Sequence, residues 1–179
     1  MKRQYVLAVL CAMMLTIGCS TISSVRYDYD TEVDFGNLKT YDWLDEFTEM
    51  SAIDVNRIKN AVDTELTARG YSQSLDDPDF MVAIHGTSEE KVNVVDHGYR
   101  YCPYGRYCYG YWGWGPSPTT YKYEEGTLII DFIDSESLQM IWRGEAKGIL
   151  DPNLTPAKLD QVASEAVQRI LQNFPPPVK

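Results

Sequence analysis

The sequence predicts an α+β fold, in which a mainly antiparallel sheet of about five strands carries two helices on one face, together with a long Tyr/Trp/Gly-rich loop. Two observations predict it: helical periodicity is confined to two segments, and the elements follow the order β-β-α-β-loop-β-β-α. Hydrophobic residues at 44% and charged residues at 23% are typical of a globular protein. We expect residues 25–179 to form a single domain, with an aromatic insertion at about 96–120.

The strands are predicted from alternating apolar and polar side chains and from the turn residues between them. Residues 25–29 alternate with a period of two, and a second short strand is expected at 39–44. A third strand begins at residue 80 and is expected to continue to 95. Residues 126–134 and 138–149 then form a β-hairpin.

Alternation also predicts which side chains face the helices. The side chains expected to face the helices are Phe80, Val82, Ile84, Leu128, Ile130 and Phe132. Those expected on the opposite face are Met81, Ala83, His85, Thr127, Ile129, Asp131 and Ile133. This second face is half polar, so it is predicted to be either solvated or covered by the aromatic loop or a partner.

The two helices are predicted from caps and from apolar residues at helical spacing. Ser51 stands three residues before Asp54 as an N-cap, and the helix is expected to run to Gly70. Thr155 followed by Pro156 at the first helical position predicts the start of the second helix, which is expected to end at Phe174.

A lipoprotein leader is predicted at residues 1–18. Lys2 and Arg3 precede an apolar run of thirteen residues, which is too short to span a bilayer. Residues 15–19 resemble the lipobox of bacterial lipoproteins, although Thr16 stands where Leu is usual. An ordinary secretory signal is the alternative, but its peptidase requires a small residue at the position of Thr16. We therefore expect lipidation of Cys19.

Lipidation predicts where the domain acts. Ser20 follows the cysteine, and by resemblance to enterobacterial sorting a residue other than Asp favours the outer membrane, with the domain facing the periplasm. The linker of residues 20–24 reaches roughly 17 Å when extended, so the domain stays close to its membrane. Loss of Lys2 and Arg3 lowers the basic residues from 16 to 14 against 26 acidic ones. The resulting formal net charge of −12 disfavours nucleic acid as a partner.

Cys102 and Cys108 are the cysteines that remain once the leader is removed and Cys19 is acylated. In an oxidising compartment they are candidates for a disulfide, which would stabilise by roughly 2 kcal/mol. A metal site formed by His97, Cys102 and Cys108 is a second interpretation, but three ligands at irregular spacing are a weak zinc pattern. Free thiols are a third. No cofactor is expected.

The composition changes abruptly over residues 99–123, where eight Tyr and two Trp are interleaved with Gly and Pro. This pattern is typical of a long loop or an extruded hairpin. Tyr and Trp provide large contact areas at low entropic cost, which suits protein interfaces and sugar rings. The candidate contact residues are Tyr101, Tyr104, Tyr107, Tyr109, Tyr111, Trp112 and Trp114.

Catalytic signatures are missing from the sequence, which contains no GxSxG, HExxH or P-loop. His85 is expected to be a sheet histidine rather than a general base. The acidic pairs Glu89-Glu90 and Glu124-Glu125 are the remaining candidates for acid–base chemistry. Neighbours on a strand point to opposite faces, so neither pair is expected to converge on one site.

Several motifs together resemble bacterial domain-of-unknown-function family 4136. They lie at residues 37–43, 58–62, 65–71, 78–80, 125–131, 141–144 and 174–176. The resemblance covers roughly residues 25–177 in the expected order. It implies an envelope lipoprotein with a Gly- and aromatic-rich insertion, and it implies no activity, cofactor or catalytic residue.

Two functional hypotheses follow. The first is a non-enzymatic binding or scaffolding module, held at the membrane by its N-terminal lipid, with an envelope protein or a glycan as partner. The second is an envelope hydrolase or glycan-processing enzyme that uses carboxylates. A concave polar pocket with facing carboxylates would favour catalysis, whereas a flat aromatic patch would favour binding.

Overall fold

The computed structural model describes residues 22–44, 48–95 and 119–177. These residues form six strands and two helices. In chain order they are β1 (Ile22–Tyr29), β2 (Thr40–Trp43), α1 (Ala52–Ala68), β3 (Ser72–Gln73), β4 (Phe80–Val95), β5 (Thr119–Asp134), β6 (Met140–Leu150) and α2 (Pro156–Leu171).

The six strands form one mixed sheet with the order β1-β6-β5-β4-β2-β3. Strands β1, β6, β5 and β4 pair antiparallel, whereas β2 pairs parallel to both β4 and β3. The α+β class and the two helices are confirmed. The prediction of about five strands missed β3, and the parallel pairing of β2 corrects the mainly antiparallel description. Parallel neighbours require a crossover, which α1 provides between β2 and β4.

The predicted helix starts are confirmed, with one difference in chemistry. The side chain of Ser51 accepts a hydrogen bond from the backbone N–H of Asp54 at 3.2 Å, as an N-cap does. Thr155 has the extended backbone of a cap residue, but its side chain makes no capping hydrogen bond. Helix α1 is followed by Gly70, whose φ of 90° suits the end of a helix. Helix α2 ends three residues before Phe174.

The core lies between the sheet and the two helices. Buried side chains of α1 and α2 form one cluster with the predicted inner face of the sheet, and all six residues predicted for that face pack in it or against it. Trp142, Phe80 and Phe132 are among the largest fully buried side chains. The predicted inner face of the sheet is therefore confirmed.

Two carboxylates fix β2 in place. Asp63 on α1 accepts hydrogen bonds from the Tyr41 hydroxyl at 2.7 Å and from Trp43 Nε1 at 3.1 Å. Burial, followed by the Asp63 carboxylate, raises the pKa of Tyr41 above its usual range. Asp79, at the start of β4, accepts hydrogen bonds from the backbone N–H groups of Lys39 and Thr40 at 2.7 and 2.8 Å. Because β2 and β4 are not joined by a hairpin, these contacts set their alignment.

We predict that Asp79→Asn lowers the free energy of unfolding at pH 7 by about 1–2 kcal/mol. Hydrogen bonds from the Lys39 and Thr40 backbone N–H groups hold the pKa of Asp79 below the usual aspartate value of 3.8. The carboxylate therefore stabilises the fold above that value, and its contribution is lost as pH falls through the lower folded pKa. Urea unfolding should show a smaller difference in the free energy of unfolding between the parent and Asp79→Asn at pH 3 than at pH 7. Asp76→Asn in the same turn is the control. A difference between the parent and Asp79→Asn that is equal at both pH values would contradict the prediction.

The strands differ from the predicted boundaries mainly at one end of the sheet. β1 begins at Ile22, so residues 22–24 belong to the sheet rather than to the predicted linker. β4 and β5 pair over sixteen residues each, from Phe80 with Asp134 to Val95 with Thr119. Tyr121 and Tyr123, which belong to the aromatic-rich stretch, therefore lie in a strand and not in a loop.

Candidate functional site

A groove of about 460 Å³ opens between the sheet and the two helices. It lies at the end of the sheet where β1 begins and β6 ends, because Ile22 and Leu150 both line it. This volume is in the range of small-molecule sites, which are mostly apolar clefts of about 300–1,000 Å³. No sequence motif predicted the groove.

Small residues on three neighbouring strands form its floor. Gly126 on β5 pairs with Gly148 on β6, and in the adjacent row Gly86 on β4 and Ala146 on β6 flank Leu128. Glycine within a strand often marks close approach of another group. A Cβ on Gly126 would lie 2.8 Å from Cδ2 of Leu150. The side chains of Leu150 and Met50 occupy the positions next to Gly126 and Gly86, so these glycines let two lining side chains lie directly on the sheet.

The walls of the groove are largely apolar, and its charged lining residues are Glu49, Asp54, Arg57 and Lys147. Helix α2 contributes Leu159, Val162, Ala163 and Ala166, and α1 contributes Ile58. Arg57, which lines the groove, forms ion pairs with Asp54 of α1 and Asp160 of α2, each at 2.5 Å. These ion pairs link the N-terminal parts of both helices beside the groove. The arrangement suits a ligand with an apolar body.

Asp131, which was predicted to lie on the opposite face of the sheet, lies there and is buried. Its side chain accepts hydrogen bonds from Nε and Nη2 of Arg143, both at 2.6 Å, and its carboxylate raises the pKa of Arg143. His85 Nε2 lies 3.4 Å from the second carboxylate oxygen. Asp131 is 3% exposed and Ala83 beside it is fully buried. The cluster is a cross-strand ion pair covering the centre of this face.

The four glutamates considered for acid–base chemistry lie opposite each other across β4 and β5. Glu89 pairs with Glu125 and Glu90 pairs with Glu124, so each face carries one residue from each strand. The prediction that adjacent glutamates point to opposite faces is correct. It did not include the pairing of glutamates across β4 and β5, because that pairing depends on the register of the two strands. Lys91 lies 2.7 Å from Glu89 and lowers its pKa, chiefly through a hydrogen bond.

General acids in hydrolases need a raised carboxyl pKa. In the part of the chain that the structure describes, the carboxyl groups with a clearly displaced pKa are Asp79, Glu89 and Asp134, and each is lowered. Among the same residues, no group of three or more His, Cys, Asp or Glu side chains is placed to hold a metal ion. No helix within residues 22–44, 48–95 and 119–177 is long and apolar enough to cross a membrane.

Several predicted site residues lie outside the described residues. They are the lipidation site Cys19, the disulfide candidates Cys102 and Cys108, the alternative metal ligand His97, and the contact candidates Tyr101, Tyr104, Tyr107, Tyr109, Tyr111, Trp112 and Trp114. These assignments stay predictions. The pairing of Val95 with Thr119 does establish that residues 96–118 connect β4 to β5.

Solved structures are similar to this chain in fold. One is a crystal structure of a PDZ domain protein from Parabacteroides distasonis ATCC 8503, with a TM-score of 0.59 and 17% identity. The match covers 97% of this chain and 40% of that one, so the chain spans less than half of that protein. Another is a PelC dodecamer from Paraburkholderia phytofirmans, with a TM-score of 0.47, 11% identity, and coverage of 83% and 94%. At these identities the likeness concerns the fold alone.

No curated protein matches this chain. The family model described as Domain of unknown function (DUF4136) matches residues 25–176, which is nearly the whole chain and includes the described fold except the first three residues of β1. This match confirms the family resemblance of the sequence motifs. The chain therefore belongs to the DUF4136 family.

Proposed function

We propose that this protein is a membrane-anchored, non-enzymatic binding module of the bacterial envelope, and that its groove binds the acyl chain of a lipid. The observation that carries the proposal is the groove itself, with its glycine floor and apolar walls. Each methylene group removed from water contributes about 0.8 kcal/mol, so a few buried methylenes suffice for measurable affinity. The charged residues that line the groove suit the polar end of such a ligand.

The position of the groove supports a lipid as its ligand. Ile22, which lines it, is only three residues from Cys19, the predicted lipidation site. Three residues span roughly 10 Å at most, so a lipidated Cys19 would hold the groove beside the bilayer. An acyl chain that moves from the bilayer into the groove exchanges one apolar environment for another. It also covers the groove walls, which would otherwise face water.

A binding role is preferred to the hydrolase hypothesis because of the carboxyl groups. Glu89 is paired with Lys91 at 2.7 Å, and this contact lowers the Glu89 pKa and favours its ionised form. Glu90 is paired with Lys122 at 2.5 Å. A glycan-processing enzyme would need one carboxyl group that stays protonated near neutral pH. The aromatic residues of the insertion remain predicted contacts for an envelope protein or a glycan, in addition to the groove.

The groove can be tested with the chain from residue 19 onward carrying Cys19→Ala, which removes the acceptor sulfur. We predict that this protein binds the fluorescent probe 1-N-phenylnaphthylamine and that palmitate displaces the probe. Ala163→Trp on α2 should fill the groove and weaken probe binding at least tenfold, about 1.4 kcal/mol. Fluorescence titration gives both affinities.

Ala157→Trp is the matched control, because Ala157 is exposed on the same helix and does not line the groove. It should leave probe affinity within about twofold of the parent, since it adds the same indole ring away from the site. Equal affinities for the two tryptophan variants, or no probe binding by the parent, would contradict a ligand-binding groove. Unfolding curves of both variants establish that each is folded.

A further inference from the structure

Carboxylates lie along the groove and at its mouth. We define the mouth as the end of the groove at Leu150, the last residue of β6, whose side chain is 44% exposed. Glu124 pairs with Leu150 and lies two residues from Gly126, so its side chain is on the face of the sheet that carries the helices. Glu49, in the segment before α1, lines the groove itself. Whether these groups attract a ligand depends on the charges around them.

The guanidinium group of Arg57 is already occupied by carboxylates. It lies 2.5 Å from both Asp54 and Asp160. One cation between two carboxylates leaves this group with one negative charge in excess. The N-terminal parts of α1 and α2 line the groove as well, and each helix N-terminus contributes roughly half a positive charge. Together the two helices offset about one carboxylate.

Other charges in this part of the molecule occur in pairs of opposite sign. These pairs are Glu90 with Lys122 at 2.5 Å, Glu145 with Lys147 at 3.3 Å and Glu165 with Arg169 at 4.0 Å. Asp151, which follows β6, and Lys158, in the first turn of α2, add one charge of each sign. These residues therefore leave the net charge around the groove unchanged.

Glu49 and Glu124 keep their negative charges. Within the part of the chain that the structure describes, neither forms an ion pair, and Glu124 faces a second carboxylate, Glu90, across the strands. One charge from the Arg57 group and one each from Glu49 and Glu124 give an excess of three negative charges. The helix N-termini reduce this excess to about two. A field of this sign attracts a positive polar group and repels a negative one.

The size of the groove restricts the kind of ligand that this field can act on. Its volume is about 460 Å³. A single turn of an α-helix with its side chains already occupies roughly 500 Å³, so an amphipathic helix of a basic partner protein does not fit. A single alkyl chain does, because it is narrow and the walls are largely apolar.

We propose that the groove selects lipids whose polar end carries an ammonium group, with the chain between the sheet and the helices and the ammonium group beside Glu49 and Glu124. This inference deepens the proposed function and rests on it. The walls act on the chain and the carboxylates act on the polar end. Fatty acids therefore bind as well, but more weakly than ammonium lipids with the same chain.

The test compares two ligands with the same chain and opposite charges, dodecylammonium and dodecanoate, both ionised at pH 7. Each displaces 1-N-phenylnaphthylamine from the Cys19→Ala protein, and the displacement curves give the two affinities. We expect dodecylammonium to bind at least tenfold more tightly than dodecanoate. The ratio should fall towards one in 1 M salt, where the Debye length is only about 3 Å.

A charge-neutralising double variant locates the origin of this preference. Glu49→Gln combined with Glu124→Gln should lower the affinity ratio at least threefold. The matched control is Asp76→Asn combined with Glu136→Gln, which removes two exposed carboxylates from turns at the opposite end of the sheet. It should leave the ratio within about twofold of the parent, because these charges lie well beyond a Debye length of about 8 Å from the groove.

The outcomes separate this inference from the proposed function. A parent ratio of one or less, or equal ratios in the two double variants, overturns the selection of ammonium lipids and leaves the groove as a site for apolar chains. Failure of both ligands to displace the probe, or no probe binding by the parent, overturns the lipid groove and the selection together. A preference that is lost in the Glu49 and Glu124 variant and kept in the control supports the proposal.

Discussion

Replacing Phe174 by Ala should lower the free energy of unfolding by about 3–5 kcal/mol. Phe174 follows the last helix, yet it is 1% exposed and its ring lies at the centre of the aromatic core. Its centroid is 4.5 Å from that of Phe132 and 5.4 Å from those of Trp142 and Tyr71. Truncation removes a large buried area and leaves a cavity between rigid rings that cannot collapse into it.

Chemical denaturation of the Cys19→Ala protein measures this effect, and Phe174→Leu is the graded control. Leucine keeps most of the apolar volume, so its cost should stay below about 2 kcal/mol. The slope of the denaturation curve should be unchanged in both variants, since neither alters the surface exposed on unfolding. Equal and small losses for the two substitutions would mean that the segment after α2 does not belong to the core.

Arg143→Met should cost about 2–3 kcal/mol, the second largest of the predicted effects. The substitution leaves Asp131 buried without the guanidinium that donates both of its short hydrogen bonds. This loss is smaller than that expected for a fully buried ion pair, because the Arg143 side chain is 45% exposed and solvent partly screens its charge. The free energy of unfolding of Arg143→Lys should lie between those of Arg143→Met and the parent, since lysine keeps the charge but loses the bidentate geometry.

A double-mutant cycle identifies the origin of this loss. Asp131→Leu combined with Arg143→Met removes both charges and should recover most of the stability, because the cost comes from an unpaired buried carboxylate. Free energies of unfolding of the parent, the two single variants and the double variant complete the cycle. Additive losses would contradict an ion pair and indicate that each side chain contributes through its own packing.

Local chemistry explains which elements could be predicted from the sequence. The helices were predictable because Ser51 and Pro156 mark their starts and apolar side chains repeat at helical spacing. β3 was missed because two residues, Ser72 and Gln73, are too few to show alternation. The parallel pairing of β2 depends on the crossover through α1, which leaves no local pattern. The outer half of β5 was missed because Tyr121 and Tyr123 were assigned to the aromatic-rich loop on composition.

The candidate groove could not be predicted from the sequence, because its floor depends on the register of the strands. Gly86, Gly126 and Gly148 lie within predicted strands, and such glycines can indicate close approach of another group. That they form one floor follows only from the strand register. The same is true of Asp131, whose burial results from Arg143 on the adjacent strand. The predicted contact residues in the aromatic insertion, by contrast, rest on composition alone and stay a prediction.

Strand β1 lies nearest the N-terminus, but its pairing partner is made late in synthesis. The side chain of Ser23 donates a hydrogen bond to the carbonyl of Lys147, 124 positions further along the chain. Contacts between such distant segments form slowly and depend on the arrival of the later one. The β1 edge of the sheet can therefore form only after β6 is available, so a chain that lacks β6 should leave β1 without its pairing partner.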